Sequence, residues 1–503
     1  MTNQNLYTVF QQRFPADPEA VFLQGDRRTV KYAAVDEESG RFLAVLKACG
    51  VVPGDRVFMQ VEKSAEAVLL YLACLRAGAV FVPLNTGYTG SEIEYFLSNT
   101  RPKVFVCRPD DARSIAQLAG RAGVDKVLSL GVDGDGTLMA AARRVQPDRS
   151  VAACDAGDLA AILYTSGTTG RSKGAMLTHD NLLSNGLVLH EYWQWEPGDV
   201  LLHALPIFHV HGLFVALHCA LLNGSRIIFH DTFDANRVLQ DLPNATVLMG
   251  VPTFYVRLLE LDGFGRDASA NVRLFISGSA PLLAETFTAF EARAGQPILE
   301  RYGMTEAGMM TSNPYSGPRV PGTVGFALPG VAARVADDAG QEVERGTVGV
   351  LEVRGPNVFA GYWEMPEKTA DEFRDDGFFI TGDLATMDAD GRVTIVGRAK
   401  DLVISGGYNV YPKEVEEQLD LMPGVKESCV IGVPDRDLGE AVTAIVVPDG
   451  TAEVSLGVAQ AFLVEKLAKF KQPKSLIVVD ELPRNTMGKV QKKSLREQFG
   501  AAS

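Results

Sequence analysis

Short apolar runs separated by amphipathic segments recur through most of this chain, and that alternation restricts its fold more than any other feature. Val57–Val61 reads as a strand. Ser64 can cap the helix that follows, whose Val68, Leu69, Leu72 and Leu75 fall at helical spacing; Gly78 ends it, and Val80–Val82 reads as the next strand. A strand–helix–strand unit of this kind favours a parallel sheet, because its crossover packs back with a fixed hand. The pattern returns at Val104–Cys107, Lys126–Leu130 and Leu159–Tyr164, and further strands are expected at Ile227–Phe229, Thr246–Val251, Val272–Ile276 and Pro297–Arg301.

Downstream of residue 320 the character changes. Val331–Ala336, Val348–Val353 and Val393–Val396 suggest short strands with Gly-rich turns. A small closing unit then carries helices at Pro412–Leu421 and Leu456–Leu467 and strands at Ser428–Val433, Val442–Val447 and Ser475–Val479. With 503 residues the chain exceeds one hydrophobic core. The expected fold class is α/β: a large N-terminal domain (1–397) of packed mixed and parallel sheets with a small β-subdomain, a hinge at 398–400, and a small mobile α+β C-terminal domain (401–503).

The bulk chemistry excludes several classes. Net charge is −14, from 48 basic and 62 acidic residues, which argues against nucleic acid as a partner. No segment approaches the ~20 unbroken apolar residues of a spanning helix, and the first residues lack the order of a secretory signal. The expected location is the cytoplasm, with no membrane partner. The six cysteines (49, 74, 107, 154, 219 and 429) form no CxxC pair and read as buried reduced thiols. The seven histidines form no HExxH pattern, so no zinc site is expected.

The segment Tyr164-Thr165-Ser166-Gly167-Thr168-Thr169-Gly170-Arg171-Ser172-Lys173-Gly174 follows a buried strand. Its glycines let the backbone approach an anion, and its hydroxyls and Lys173 add donors. The spacing differs from GxxxxGK[ST], so this is not the usual nucleotide-hydrolase loop.

That loop resembles the signature of the adenylate-forming superfamily, which joins acyl-CoA synthetases, luciferases and peptide-synthetase adenylation domains. The resemblance continues in order through Ser277-Gly278-Ser279-Ala280-Pro281, Tyr302-Gly303-Met304-Thr305-Glu306, Thr381-Gly382-Asp383, Gly397-Arg398-Ala399-Lys400-Asp401 and Pro483-Arg484-Asn485-Thr486-Met487-Gly488-Lys489. It implies activation of a carboxylate by ATP, release of pyrophosphate, and displacement of AMP by the thiol of coenzyme A. By the same resemblance, Thr165, Ser166, Gly167, Thr168, Thr169, Gly170 and Lys173 hold the β- and γ-phosphates, and Glu306 coordinates Mg²⁺. Thr305 binds the α-phosphate. Tyr302 and Gly303 border adenine with Ser279, Ala280 and Pro281, while Asp383 and Arg398 contact ribose. Lys489 bridges carboxylate and α-phosphate. Lys400 stands at the hinge, and Ser405, Gly406 and Gly407 line a pantetheine tunnel. Lys489 is also the expected target of a lysine acyltransferase and deacylase, since acylation removes its charge.

The acid itself is suggested by two arginines. Arg257 lies about one turn into an expected helix after Val251, and Arg301 sits at an expected strand end beside Tyr302; in open parallel sheets, ligands bind at those ends. Guanidiniums beside an acyl pocket are costly without an anion, and a second carboxylate supplies one. The alternative is that both pair with protein carboxylates such as Glu300 or Glu306. The phrases His203-Ala204-Leu205-Pro206-Ile207-Phe208-His209-Val210-His211-Gly212 and Arg301-Tyr302-Gly303-Met304-Thr305-Glu306 resemble bacterial malonyl-CoA synthetases. This implies malonate as substrate, with Arg257 and Arg301 on its distal carboxylate, His209 and Ser277 beside the acyl group, and Met304 shortening the pocket. The apolar stretch Ala307-Gly308-Met309-Met310 departs from that pattern and leaves methylmalonate open. Other readings are a short-chain monocarboxylate synthetase, a luciferase-type oxygenase, a peptide-synthetase module and a non-enzymatic binding protein. Only the leading one requires both free coenzyme A and a diacid.

Overall fold

The computed structural model describes residues 3–165, 172–405, 408–435 and 438–500. Among the described residues, nine strands form one sheet in the order Phe326–Ala327, Gly308–Ser312, Leu299–Met304, Leu274–Ser277, Val247–Gly250, Val200–His203, Arg226–Phe229, Val21–Gly25, Thr29–Lys31. Its middle is parallel and its edges antiparallel. A second sheet runs Val127–Ser129, Val104–Cys107, Arg56–Gln60, Val80–Pro83, Leu159–Thr165, Lys173–Thr178, and only its last pair is antiparallel.

The helix Ala65–Ala77 shows how these sheets are covered. Ser64 accepts from the Ala67 N–H as its cap, Gly78 ends it at φ 65°, and every residue between is buried. Such a helix is apolar all round because it is covered on every side. Arg76, wholly buried at its end, is satisfied by carbonyls of Asp36 (2.7 Å) and Asp148 (2.8 Å) and by Ser39 Oγ (2.9 Å).

A four-stranded antiparallel sheet, Ala332–Ala336, Gly349–Arg354, Phe379–Met387 and Val393–Arg398, forms the β-subdomain. The C-terminal unit has its own sheet, built on the long pair Val425–Asp435 and Gly439–Pro448 and flanked by the helices Pro412–Leu419 and Lys492–Phe499. Its core is separate: Val403, Val415, Leu463 and their neighbours form one cluster, and Cys429, Ile431 and Leu495 another. Met487 is the exception. Although it belongs to the C-terminal segment, it packs into the apolar cluster of the large domain.

Most expected elements occur with ends displaced by a few residues. Two differ in extent. The expected strand 297–301 is Leu299–Met304, carried onward by antiparallel pairing with Gly308–Ser312. The expected helix 456–467 stops at Leu463. Five cysteines are buried and Cys49 is partly so; all six are free thiols. Among the described residues, no helix is long and apolar enough to cross a membrane.

Candidate active site

The nine-stranded sheet aims its chemistry at one edge. Gly250 and Ser277 end neighbouring parallel strands in register, His203 ends the next one beside Met249, and Ser277 pairs with Glu300 at the start of the strand that carries Arg301, Tyr302 and Met304. Side chains alternate along a strand, so Arg301 faces away from Glu300 and Tyr302.

On the Tyr302 face, the hydroxyl donates to Asp383 and the Arg398 Nε lies 2.7 Å from the other oxygen of that carboxylate. Asp383 is 3 % exposed, and its N–H donates to Thr381 Oγ1 at 3.1 Å. Burial alone would lower the Arg398 guanidinium, but Asp383 and Tyr302 outweigh it and hold it above its ordinary value. Ser279 adopts φ 72°, a left-handed conformation that costs a non-glycine residue energy and is typical of functional sites. Ala280 is half-buried and Pro281 exposed.

Lys489 lies within electrostatic reach of Arg398 and Asp383. Gly488, at φ 72°, leaves a would-be Cβ 3.2 Å from Thr253 Oγ1, and Asn85 Nδ2 lies 3.5 Å from Thr486 Oγ1. The lysine keeps solvent access, yet the surrounding protein desolvates its ammonium, and with Arg398 and Lys400 nearby its pKa falls below the ordinary value. Lys400 lies in the short turn Ala399–Asp401, and Asp401 is bonded by Arg496 of the C-terminal helix.

At the other end, Thr165 and Lys173 are cross-strand partners at the tip of an antiparallel hairpin. Ser166, Gly167, Thr168, Thr169 and Gly170 lie between them, outside the described residues, as do Gly406 and Gly407 beyond the buried Ser405. The Lys173 ammonium is 2.9 Å from Glu372 Oε1 and 4.0 Å from the centroid of the Tyr362 ring. The Tyr362 hydroxyl lies 2.6 Å from Glu372 Oε2 and 3.1 Å from Glu306 Oε1, while Thr165 Oγ1 lies 3.2 Å from the same Glu306 oxygen. Glu306 is 5 % exposed; burial pushes its carboxyl up, and among the described residues it forms no ion pair. A buried oxygen ligand with no cation of its own, beside a hydroxyl, fits Mg²⁺ shared with phosphates. Thr305 and Met304 are half-buried next to it.

The opposite face of the strand holds Arg301. It is 2 % exposed, and its Nε and Nη2 have no partner among the described residues. Burial lowers its guanidinium to about 9. The alternative, pairing with Glu300 or Glu306, does not occur for Arg301 among the described residues; strand alternation turns Glu300 to the other face. Ser277 Oγ and His211 Nε2 are also buried without partners, and His211 Nδ1 lies 3.2 Å from Ser279 Oγ. His209 is half-buried; burial, then Arg301 and Lys489, lower it to about 4, so it is neutral at physiological pH. Arg257 is placed differently. It lies in the last turn of the helix Pro252–Leu259, 59 % exposed at its side chain, and pairs with Glu260 at 2.9 Å. Thr253, four residues earlier and so on the same helix face, meets Gly488.

The structure thus brings Tyr302, Asp383, Arg398 and Lys489 together, joins Thr165, Lys173 and Glu306, and buries Arg301 near His209 and His211, with Ser277 buried on the neighbouring strand beside Glu300. It leaves Arg257 at the surface. Tyr362, Glu372 and His211 are not marked by any motif role in the sequence. His211 lies inside the segment His203–Gly212, whereas Tyr362 and Glu372 carry no local signal and reach Lys173 only through tertiary pairing, with Trp363 N donating to Gly174 O at 2.8 Å.

The chain matches the family model for the AMP-binding enzyme over residues 10–363 and that for the AMP-binding enzyme C-terminal domain over 414–489. It is 36% identical over 482 residues to a malonate–CoA ligase of Arabidopsis thaliana, covering 90% of this chain and 79% of that protein. It is also 36% identical over 505 residues to a feruloyl-CoA synthase of an Amycolatopsis species, covering 99% of this chain and all (100%) of that one. Its fold superposes on the crystal structure of ATP-bound MatB from Rhodopseudomonas palustris with a TM-score of 0.97, at 54% identity and 99% coverage of both chains. This chain belongs to the AMP-binding enzyme family.

Proposed function

We propose that the protein is an AMP-forming malonate–CoA ligase. The observation that carries the choice of acid is the buried Arg301 guanidinium with two unpartnered nitrogens. A buried cation with unmet donors costs several kcal/mol unless an anion arrives, and a ferulate-like aryl tail brings none. The distal carboxylate of malonate would accept from Arg301, with Ser277 Oγ and His211 Nε2 as further partners. Arg257 joins this group by exchanging Glu260 for the substrate at the pocket mouth. His209 flanks the acyl chain as a neutral ring, and Met304 shortens the pocket.

In the first step a carboxylate oxygen attacks the α-phosphorus of ATP and pyrophosphate leaves. Thr165 and Lys173, with residues 166–170, hold the departing phosphates; Thr305 contacts the α-phosphate, and Asp383 and Arg398 orient the ribose under Tyr302. Gly303, Ser279, Ala280 and Pro281 border the adenine. Lys489 neutralises the approach of carboxylate to phosphate, the charge stabilisation such transfers require. Bound at Glu306, Mg²⁺ would spread phosphate charge. In the second step the coenzyme A thiolate attacks the acyl carbon and AMP departs. Lys489 then has to withdraw, which assigns residues 398–400, with Lys400, to a hinge between domains 1–397 and 401–503, and Ser405, Gly406 and Gly407 to the thiol channel. The solvent access of Lys489 also leaves it open to a lysine acyltransferase.

The test supplies purified protein with ATP, Mg²⁺, coenzyme A and one acid at a time: malonate, methylmalonate, succinate, acetate or ferulate. Mass spectrometry reads the thioester. Malonyl-CoA as the leading product supports the assignment. Feruloyl- or acetyl-CoA in its place would leave an acyl-CoA ligase but remove the role given to Arg301.

A further inference from the structure

Glu372 has no place in the chemistry described so far, yet it is built into the phosphate end of the site. It caps the C-terminus of the helix Pro366–Asp371, where an acidic side chain opposes the helix dipole. The helix dipole therefore does not explain it. Its segment is fixed to the Lys173 strand by backbone pairing: Met176 N donates to Gly361 O at 2.9 Å, and Trp363 N to Gly174 O at 2.8 Å. The result is a carboxylate 2.9 Å from the ammonium of Lys173, which is itself only 7 % exposed. A phosphate that Lys173 binds has to compete with that carboxylate for the same charge.

A second cation stands by. Lys368 Nζ, on the same helix and 35 % exposed at its side chain, lies 3.1 Å from the same Glu372 oxygen, and Tyr362 Oη lies 2.6 Å from the other. When Lys173 turns away, Glu372 keeps a cation and a hydroxyl and is not stranded, which removes the usual penalty for opening a buried ion pair.

We infer that Glu372 is a resident counter-ion for Lys173, displaced when the polyphosphate of ATP enters and reclaiming the lysine to expel pyrophosphate. The inference rests on the reading of Lys173 as a phosphate ligand. It means that the site trades phosphate affinity for product release, with Lys368 as the exchange partner.

The test measures binding of magnesium pyrophosphate to the full chain by calorimetry, with pyrophosphate inhibition of turnover beside it. Glu372→Gln should bind pyrophosphate about tenfold more tightly at 0.1 M salt, the effect of removing one competing charge, and should lower kcat and the KM for ATP together. Damage to a merely structural residue would weaken binding instead. Lys368→Met leaves Glu372 with Lys173 alone and should weaken pyrophosphate binding several-fold. That weakening should vanish when Glu372→Gln is also present. Unchanged or weaker binding in a folded Glu372→Gln protein overturns the inference, as does a Lys368→Met effect that persists in the double variant. If Glu372→Gln does not fold, an unaltered affinity in Lys368→Met alone overturns it. Should Lys173→Met bind pyrophosphate as well as the wild type, the phosphate-site reading falls first and this inference with it.

Discussion

The backbone of Gly278 lies directly against the Arg301 side chain: a Cβ there would come 2.7 Å from Nε and would collide with Nη1 and Cζ. Glycine is needed here for space and not for an unusual φ. Gly278→Ala must therefore push the guanidinium off its position. The KM for malonate should rise about tenfold or more, the cost of misplacing a charged pair. Nucleotide affinity, read by ATP binding without acid, should stay within a fewfold, because Tyr302 and Asp383 lie on the other face of the strand. Equal loss of both affinities would show that the two faces are not independent.

Arg301→Met removes a buried, unpartnered charge and keeps most of its volume. Stability should increase, by ~1–4 kcal/mol on the scale seen when buried ionic groups give way to apolar ones, while kcat/KM for malonate falls about a hundredfold or more. Urea unfolding and steady-state kinetics on one preparation check both halves. A destabilised variant would mean that Arg301 has a structural partner outside the described residues.

For Lys489→Ala, the two half-reactions should separate. Pyrophosphate release from ATP and malonate should drop by about 10²–10³, the scale for loss of one charge-stabilising donor. Thioester formation from synthetic malonyl-adenylate and coenzyme A should change little, since the lysine must be absent from that step. A comparable loss in both steps would remove the need for a hinge at 398–400.

Glu300 gives a pH-dependent prediction. Burial pushes its carboxyl up to about 7, against an ordinary value of 4.5. The folded protein thus holds this proton more firmly than the unfolded chain does, and stability falls as pH rises from 4.5 to 7, with the penalty complete above. Glu300→Gln has no proton to lose. It should be more stable than wild type at pH 8, by at most ~3 kcal/mol, and nearly equal to it below pH 4.5. A stability difference independent of pH would assign the effect to the Leu282 N–H bond that Glu300 accepts.

The parallel strands and the motifs of the nucleotide end were legible in the sequence, because strand–helix alternation is periodic and Gly-rich turns are local. The Arg301 position was legible too, since a charge at a strand end beside Tyr302 is visible from the order of residues alone. What hid was the partnership of side chains. Arg257 and Arg301 look equivalent as letters, but one ends a short helix with Glu260 three residues on, and the other enters a strand buried on both sides. Tyr362 and Glu372 act on Lys173 across nearly two hundred residues of chain, through sheet pairing that no local pattern announces.

Under the proposed function one strand, Leu299–Met304, serves two ligands, with Tyr302 on the face toward the nucleotide and Arg301 on the face toward the acid. Inserting or deleting a single residue there would exchange the two faces, offering a cation to adenine and a ring to the carboxylate. Acid preference in this chain can therefore drift only by replacing side chains, never by sliding the strand. On that proposal the lineage is free to explore new acids at Arg301, Ser277 and Met304, while the length of that strand stays locked by the nucleotide.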